Sequence, residues 1–151
     1  MPIRLAIRTD AKTLHKLHSA SVTELCDQYD TATIAAWLSG RTPEGYLNGI
    51  DSREMYVYEE QDKIHGFSHV VPGEVIALFV SPASARKGIG TALMNHAVSR
   101  ARENWEGPVR LEATLNAVVF YQHLGFRKLG DRIALRNGVE IPVVEMETNE
   151  I

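Results

Sequence analysis

Val75-Ile76-Ala77-Leu78-Phe79-Val80-Ser81-Pro82, followed three residues later by Arg86-Lys87-Gly88-Ile89-Gly90-Thr91-Ala92-Leu93-Met94, is the stretch on which the fold turns. Its first six residues form a nearly continuous apolar run, as expected of a strand buried on both faces, and Ser81-Pro82 stops it. From Gly88 to Glu103 the apolar residues Ile89, Leu93, Ala97 and Ala101 share one side of the best-patterned helix in the chain. Between strand and helix, Gly88 and Gly90 let the backbone turn tightly and come close to a ligand. The free amides at the helix start, with the positive end of its dipole, suit a phosphate or pyrophosphate, and Arg86 and Lys87 add cationic charge. The plain alternative is a glycine cap on an ordinary strand-to-helix turn.

Outward from this centre the pattern alternates strands and helices. On the N-terminal side, Met55 to Glu60 and Ile64 to Val71 are β-rich runs joined by Gln61-Asp62-Lys63, and Pro72-Gly73 makes the next turn. Ile3, Leu5 and Ile7 alternate with Arg4, Ala6 and Arg8, which predicts a first half-buried strand. Thr9-Asp10 then caps a helix reaching about Tyr29, and Thr31 caps a second through Trp37 and Leu38, ended by Gly40. Thr42-Pro43-Glu44 opens a short helical piece to about Gly49. On the C-terminal side the order is a strand from Val109 to Ala113 and a helix from Asn116 to Leu124 stopped by Gly125. Strands Arg127 to Leu135 and Val139 to Met146 follow, meeting at Arg136-Asn137-Gly138. No repeat or linker divides the chain, so residues 1–151 are expected to form one α/β (α+β) domain with a mixed sheet.

The composition narrows the function classes. With 151 residues, 44% apolar and 23% charged, the chain matches a globular protein with one substantial core. The longest run without a charged residue, Ala113 to Phe126, is 14 residues and is interrupted by Asn116 and Gln122, too short and polar to span a bilayer. A net charge of −3 gives no general attraction to nucleic acid or anionic lipid. The start Met1-Pro2-Ile3-Arg4 lacks the features of a secretory signal and Cys26 is the sole cysteine, so a cytoplasmic location is expected. Glu24 to Asp62 holds nine acidic residues against Arg41 and Arg53. This stretch is either a solvated face or, if it walls a site, a preference for a cationic substrate.

Two familiar phosphate binders fit poorly. A dinucleotide fingerprint requires a third glycine where Leu93 stands and belongs after a first strand, and the P-loop pattern is absent. The Val75–Pro82 and Arg86–Met94 segments, together with Asn116-Ala117-Val118-Val119-Phe120-Tyr121-Gln122-His123-Leu124-Gly125-Phe126, instead resemble the GNAT superfamily of acyl-CoA-dependent N-acyltransferases. Three motifs in the right order carry this resemblance, and the flanking elements extend it over most of the chain. Tyr29, Trp37-Leu38 and Thr42-Pro43-Glu44 are further similar to a group of small bacterial acetyltransferases.

The resemblance implies a mostly antiparallel central sheet flanked by helices and acetyl-CoA as co-substrate. The pyrophosphate would lie on the amides of Arg86, Lys87, Gly88, Ile89, Gly90 and Thr91, and the pantetheine arm along Leu78, Phe79 and Val80, with Asn116 bonding that arm. One departure is Ala85, where many members carry Gln or Arg. Tyr121 corresponds to the tyrosine that protonates the departing thiolate, and its alternative is packing beside Phe120 and Phe126. Glu74, at the start of the cofactor strand, is the first candidate for the base that takes the amine proton, with His69 as rival and a water path as a third route. No covalent acyl-enzyme is needed.

The remaining candidates read more plainly. His15 and His18 lie three apart on a helix without a third metal ligand, and with His96 and His123 they are expected at the surface. Cys26, in the helical stretch with Leu25 and Tyr29, reads either as lining a substrate pocket or, more plainly, as a small core residue. The expected function is acetyl transfer from acetyl-CoA to a primary amine of a small-molecule or peptide acceptor in a ternary complex, with no metal. A non-catalytic acyl-CoA sensor or scaffold is the principal alternative, and a nucleotide-binding oxidoreductase is a third. The apolar side chains of Val139 to Met146 offer a surface that a homodimer could share.

Overall fold

The computed structural model describes residues 2–149, so Met1, Glu150 and Ile151 of the expected domain lie outside the described residues. Seven strands form one sheet: β1 (Ile3–Leu5), β2 (Met55–Glu60), β3 (Lys63–Val71), β4 (Glu74–Val80), β5 (Val109–Thr114), β6 (Arg127–Arg136) and β7 (Val139–Thr148). Their order is β1-β2-β3-β4-β5-β7-β6, and all neighbours are antiparallel except β4 and β5. Two hairpins rest on paired left-handed residues, Gln61 and Asp62 (φ 55° and 60°) and Asn137 and Gly138 (φ 55° and 75°). Such two-residue turns match the twist of the strands they join.

Five α-helices cover the two faces of the sheet: α1 (Ala11–Leu25), α2 (Thr31–Leu38), α3 (Leu47–Asp51), α4 (Ile89–Ala101) and α5 (Val118–His123). On one face, Leu14 and Leu17 of α1 pack with Val57 and Phe67, while Val22 and Trp37 pack with Ile141 and Val143. On the other, Met94, Ala97 and Ala101 of α4 and Tyr121 of α5 pack on Val75, Leu111 and Met146. Each fully buried side chain of leucine size contributes roughly 1.5–3 kcal/mol.

Several boundaries depart from expectation for local reasons. The first strand ends at Leu5, leaving Ala6 buried and Ile7 exposed, because the Asp10 carboxylate accepts the Ile7 amide at 2.8 Å and the Arg4 guanidinium at 2.9 Å. That pull curls Arg8–Asp10 into a 3-10 turn ahead of α1. Helix α1 stops at Leu25 rather than near Tyr29. Tyr29 instead crosses to the sheet, donating to the Pro142 carbonyl at 2.5 Å and accepting from the Leu115 amide at 3.1 Å. Asp30, not Thr31, caps α2, its carboxylate accepting from the Thr33 amide at 2.7 Å. The piece after Thr42 is a 3-10 turn, Pro43–Tyr46, running into α3, and the helix expected from Asn116 begins as a 3-10 turn, Leu115–Ala117.

Two larger corrections concern exposure. Strand β4 is not buried on both faces: Val75 is buried, but Leu78, Phe79 and Val80 are half-buried because β5 leaves their side. Strand β7 lies between β5 and β6, and Ile141, Val143, Val144 and Met146 are buried within the chain. They offer no surface to a second copy; the exposed apolar side chains Leu129, Ile133 and Leu135 belong to the edge strand β6.

Candidate active site

The site begins where β4 and β5 part. They pair at one position, Glu74 with Arg110, reinforced by the Arg110 amide donating to the Gly73 carbonyl at 2.9 Å. Gly73 has φ +81° and donates its own amide to Ala101 at 2.8 Å, and an added Cβ would sit 2.4 Å from the Trp105 ring, so only glycine fits this closed end. Next along β4, the register with β3 shifts: His69 faces Ala77 and Val70 faces Val75, which leaves Ile76 as a bulge. A bulge bends its strand and sharpens the twist, here away from β5. From Val75 to Val80 the β5-facing edge of β4 has no strand partner. Backbone amides and carbonyls left open in this way are strong recognition groups.

A cleft of about 610 Å³ lies along this opening. Leu78, Phe79 and Val80 form one wall, Arg86, Gly88, Gly90 and Thr91 its end, and Asn116, Phe120 and Tyr121 the opposite side. Arg86 and Gly88 take left-handed conformations (φ 64° and 82°), turning the chain into α4. Ala92 is the first amide of α4 bonded to a helix carbonyl, that of Gly88 at 3.0 Å, so the amides of Ile89, Gly90 and Thr91 are free of intrahelical partners. Gly90 serves packing as well, since a Cβ there would come within 3.2 Å of Phe120. Two expected residues stand apart from the cleft walls: the Lys87 side chain is exposed and that of Ile89 is buried.

A second cavity, of about 330 Å³, lies along β4 from Glu74 to Phe79. The two share Leu78, Phe79, Thr114 and Tyr121, which form a neck between them. Tyr121 is buried against Phe120 and Phe126, ring centroids 5.2 and 5.9 Å away, so its packing reading is realised. Its hydroxyl has no hydrogen-bond partner among the described residues, and burial raises its pKa, so the phenol stays protonated. Burial also pushes the Cys26 thiol up to about 11, so this cleft residue is no thiolate nucleophile at neutral pH.

The expected bases both line the second cavity but at different depths. Glu74 is exposed at its rim, four residues before Leu78, on the order of 13 Å of extended strand. His69 faces Ala77 across the ladder, beside the neck. Its Nε2 lies 2.9 Å from the Glu54 carboxylate, which fixes the donor on Nε2 and leaves Nδ1 with its lone pair.

Sequence reasoning missed the rest of this cavity. His18, expected at the surface, is buried, stacked on Phe79 at 4.0 Å, with Nδ1 2.8 Å from the Tyr46 hydroxyl and 2.9 Å from Arg41 Nη2. Burial first, then the Arg41 charge, pushes its pKa down to about 3, so the ring is neutral. Trp37 and Arg136 also line the wall. None of the nine acidic residues between Glu24 and Asp62 does; from that stretch the one charged lining residue is Arg41. The acidic stretch therefore gives this cavity no preference for a cation, although its Glu24 and Asp27 line the first cleft. Helical periodicity places His18 near the buried stripe of α1, which is the signal that could have found it.

The chain belongs to the GNAT acetyltransferase family: the acetyltransferase (GNAT) domain profile matches residues 24–149. Its fold is similar to that of a GCN5-related N-acetyltransferase from Rhodopseudomonas palustris, with a TM-score of 0.90 at 19% identity over 97% of this chain and 93% of the other. It is also similar to the PaiA N-acetyltransferase of Thermoplasma acidophilum, solved with coenzyme A, with a TM-score of 0.75 at 20% identity over 98% of each chain. YncA from Salmonella typhimurium, solved with acetyl-CoA, gives 0.71 at 17% identity over 96% of this chain and 91% of the other. At these identities the likeness is one of fold.

Proposed function

We propose that this protein transfers the acetyl group of acetyl-CoA to a primary amine of a small-molecule or peptide acceptor, by direct attack in a ternary complex. The observation that carries the reading is the neck: two cavities along β4 meet at Leu78, Phe79, Thr114 and Tyr121. The chain fits the co-substrate through groups left open in the fold. The free edge of Leu78 to Val80 matches the amides of the pantetheine arm, with Asn116 opposite, and the amides of Gly88 to Thr91 with the Arg86 charge match the pyrophosphate. Acetyl-CoA supplies the acetyl group already activated as a thioester.

The residues at the neck divide the proton work. The amine must be neutral to attack, and His69, with Nδ1 free and its ring held by Glu54, takes the proton as the C–N bond forms and the C–S bond breaks. Glu74, at the rim, passes that proton on to solvent. Tyr121, kept protonated by burial, gives its phenolic proton to the departing sulfur. Titration calorimetry with acetyl-CoA, CoA and NADH, followed by thiol release with a panel of amines, tests the whole. Micromolar acetyl-CoA binding with amine-dependent thiol release is expected. Binding without release with any amine would leave the sensor reading, and NADH binding in its place the oxidoreductase.

A further inference from the structure

The acceptor cavity carries an imbalance of hydrogen-bonding groups. Arg41 Nη2 lies 2.9 Å from His18 Nδ1 and 3.0 Å from the Tyr46 hydroxyl. A guanidinium has donors only, so Nδ1 must accept and the His18 proton resides on Nε2. That N–H has no acceptor among the described residues, although the side chain is 7% exposed. The Trp37 indole N–H, in a side chain 1% exposed on the same cavity wall, is likewise without an acceptor. Native folds leave few buried donors unpaired, but both of these nitrogens are sealed from the open space of the cavity, and the donors that face it are the Nε and Nη1 groups of Arg41, which have no acceptor among the described residues.

Charge points the same way. Arg41 has no carboxylate within ion-pair distance among the described residues, its neighbours being the neutral His18 and Tyr46. The other cavity arginine, Arg136, belongs to a balanced network: it meets Glu112 at 3.1 Å, and Arg132 bridges Glu112 at 2.9 Å and Glu145 at 3.0 Å. Glu74 stands five residues before Phe79, the residue on which His18 stacks, on the order of 16 Å of extended strand. One end of the cavity thus offers cationic donors, the other a carboxylate, with His69 between. The volume of about 330 Å³ suits a small molecule.

Building on the acetyl-transfer reading, we propose that the acceptor is a small amine bearing a carboxylate, an amino acid or close analogue, whose carboxylate is seated by Arg41. A planar carboxylate matches the guanidinium fork. A polyamine would bring a second cation against Arg41.

Calorimetry on the CoA-saturated full chain tests this, titrating the proteinogenic amino acids one at a time, the amide of each that binds, spermidine and ethanolamine phosphate. At least one amino acid should bind, and at least tenfold more tightly than its amide. Arg41→Gln should reduce that preference to below threefold. Arg41→Lys, which keeps the charge and loses the fork, should retain part of the preference and a cooperative melt. Equal binding of acid and amide, tighter binding of spermidine or ethanolamine phosphate, or binding of no amino acid overturns the proposal. Thiol release is read separately: amino-acid binding without release with any amine upholds the carboxylate seat and rejects acetyl transfer, whereas release with spermidine alone does the reverse.

Discussion

The two cavities along β4 are built on different principles. The side proposed for the cofactor is backbone work: an unpaired strand edge, two left-handed turn residues and a helix start, all within Leu78 to Thr91. The side proposed for the acceptor is side-chain work, drawing His18, Trp37, Arg41, Tyr46, His69 and Arg136 from six separate segments. A backbone device accepts many side chains and fixes a ligand of constant shape. A side-chain device changes specificity with each substitution. One fold can thus hold a common donor and select its own acceptor.

The sharpest way to break the comparison is at the neck, which belongs to both sides. Tyr121→Phe is expected to lower kcat by about 10²-fold, in the range for loss of a general acid, with acetyl-CoA affinity nearly unchanged. An equal loss in affinity would make Tyr121 a binding residue. On the acceptor side, His69→Gln is expected to cost almost as much, roughly 10²-fold, and Glu74→Gln only about threefold. The reverse order would move the base to the rim, and a pH–rate profile of each variant would show which group titrates.

A thermodynamic test follows from His18. Its pKa falls from 6.5 in the unfolded chain to about 3 in the fold, so the native state resists protonation. The associated stability is complete above the unfolded value and is lost as pH falls through 6.5 toward 3. At about pH 5 the loss is about 2 kcal/mol. Urea titrations across this range should show the loss in the native sequence and a much smaller slope in His18→Gln. On the cofactor side, Gly90→Val places a branched side chain against Phe120, which a Cβ alone would approach to 3.2 Å. Steric overpacking there should weaken acetyl-CoA binding about tenfold and leave acceptor affinity alone.

This division also explains what the sequence made legible. Hairpins with Asn137-Gly138 and Gln61-Asp62, the Gly88 turn and the long α4 announce themselves locally, because turn chemistry and helical period act over a few residues. The β4 run reads as fully buried because periodicity cannot tell a strand covered by protein from one left half open beside a cleft. The burial of His18 and its place opposite Arg41 depend on α1 packing over Phe79, a contact between residues 61 positions apart. The end of α1 at Leu25 was hidden for the same reason, since Tyr29 is held by Pro142 and Leu115 at the far side of the sheet.

The closed end at Gly73 has a consequence for traffic. With β4 and β5 fastened there and parted beyond, the gap is closed at one end, and Leu78, Phe79, Thr114 and Tyr121 border both cavities that lie along it. On the proposed reading, whatever passes from one cavity to the other passes between these four side chains.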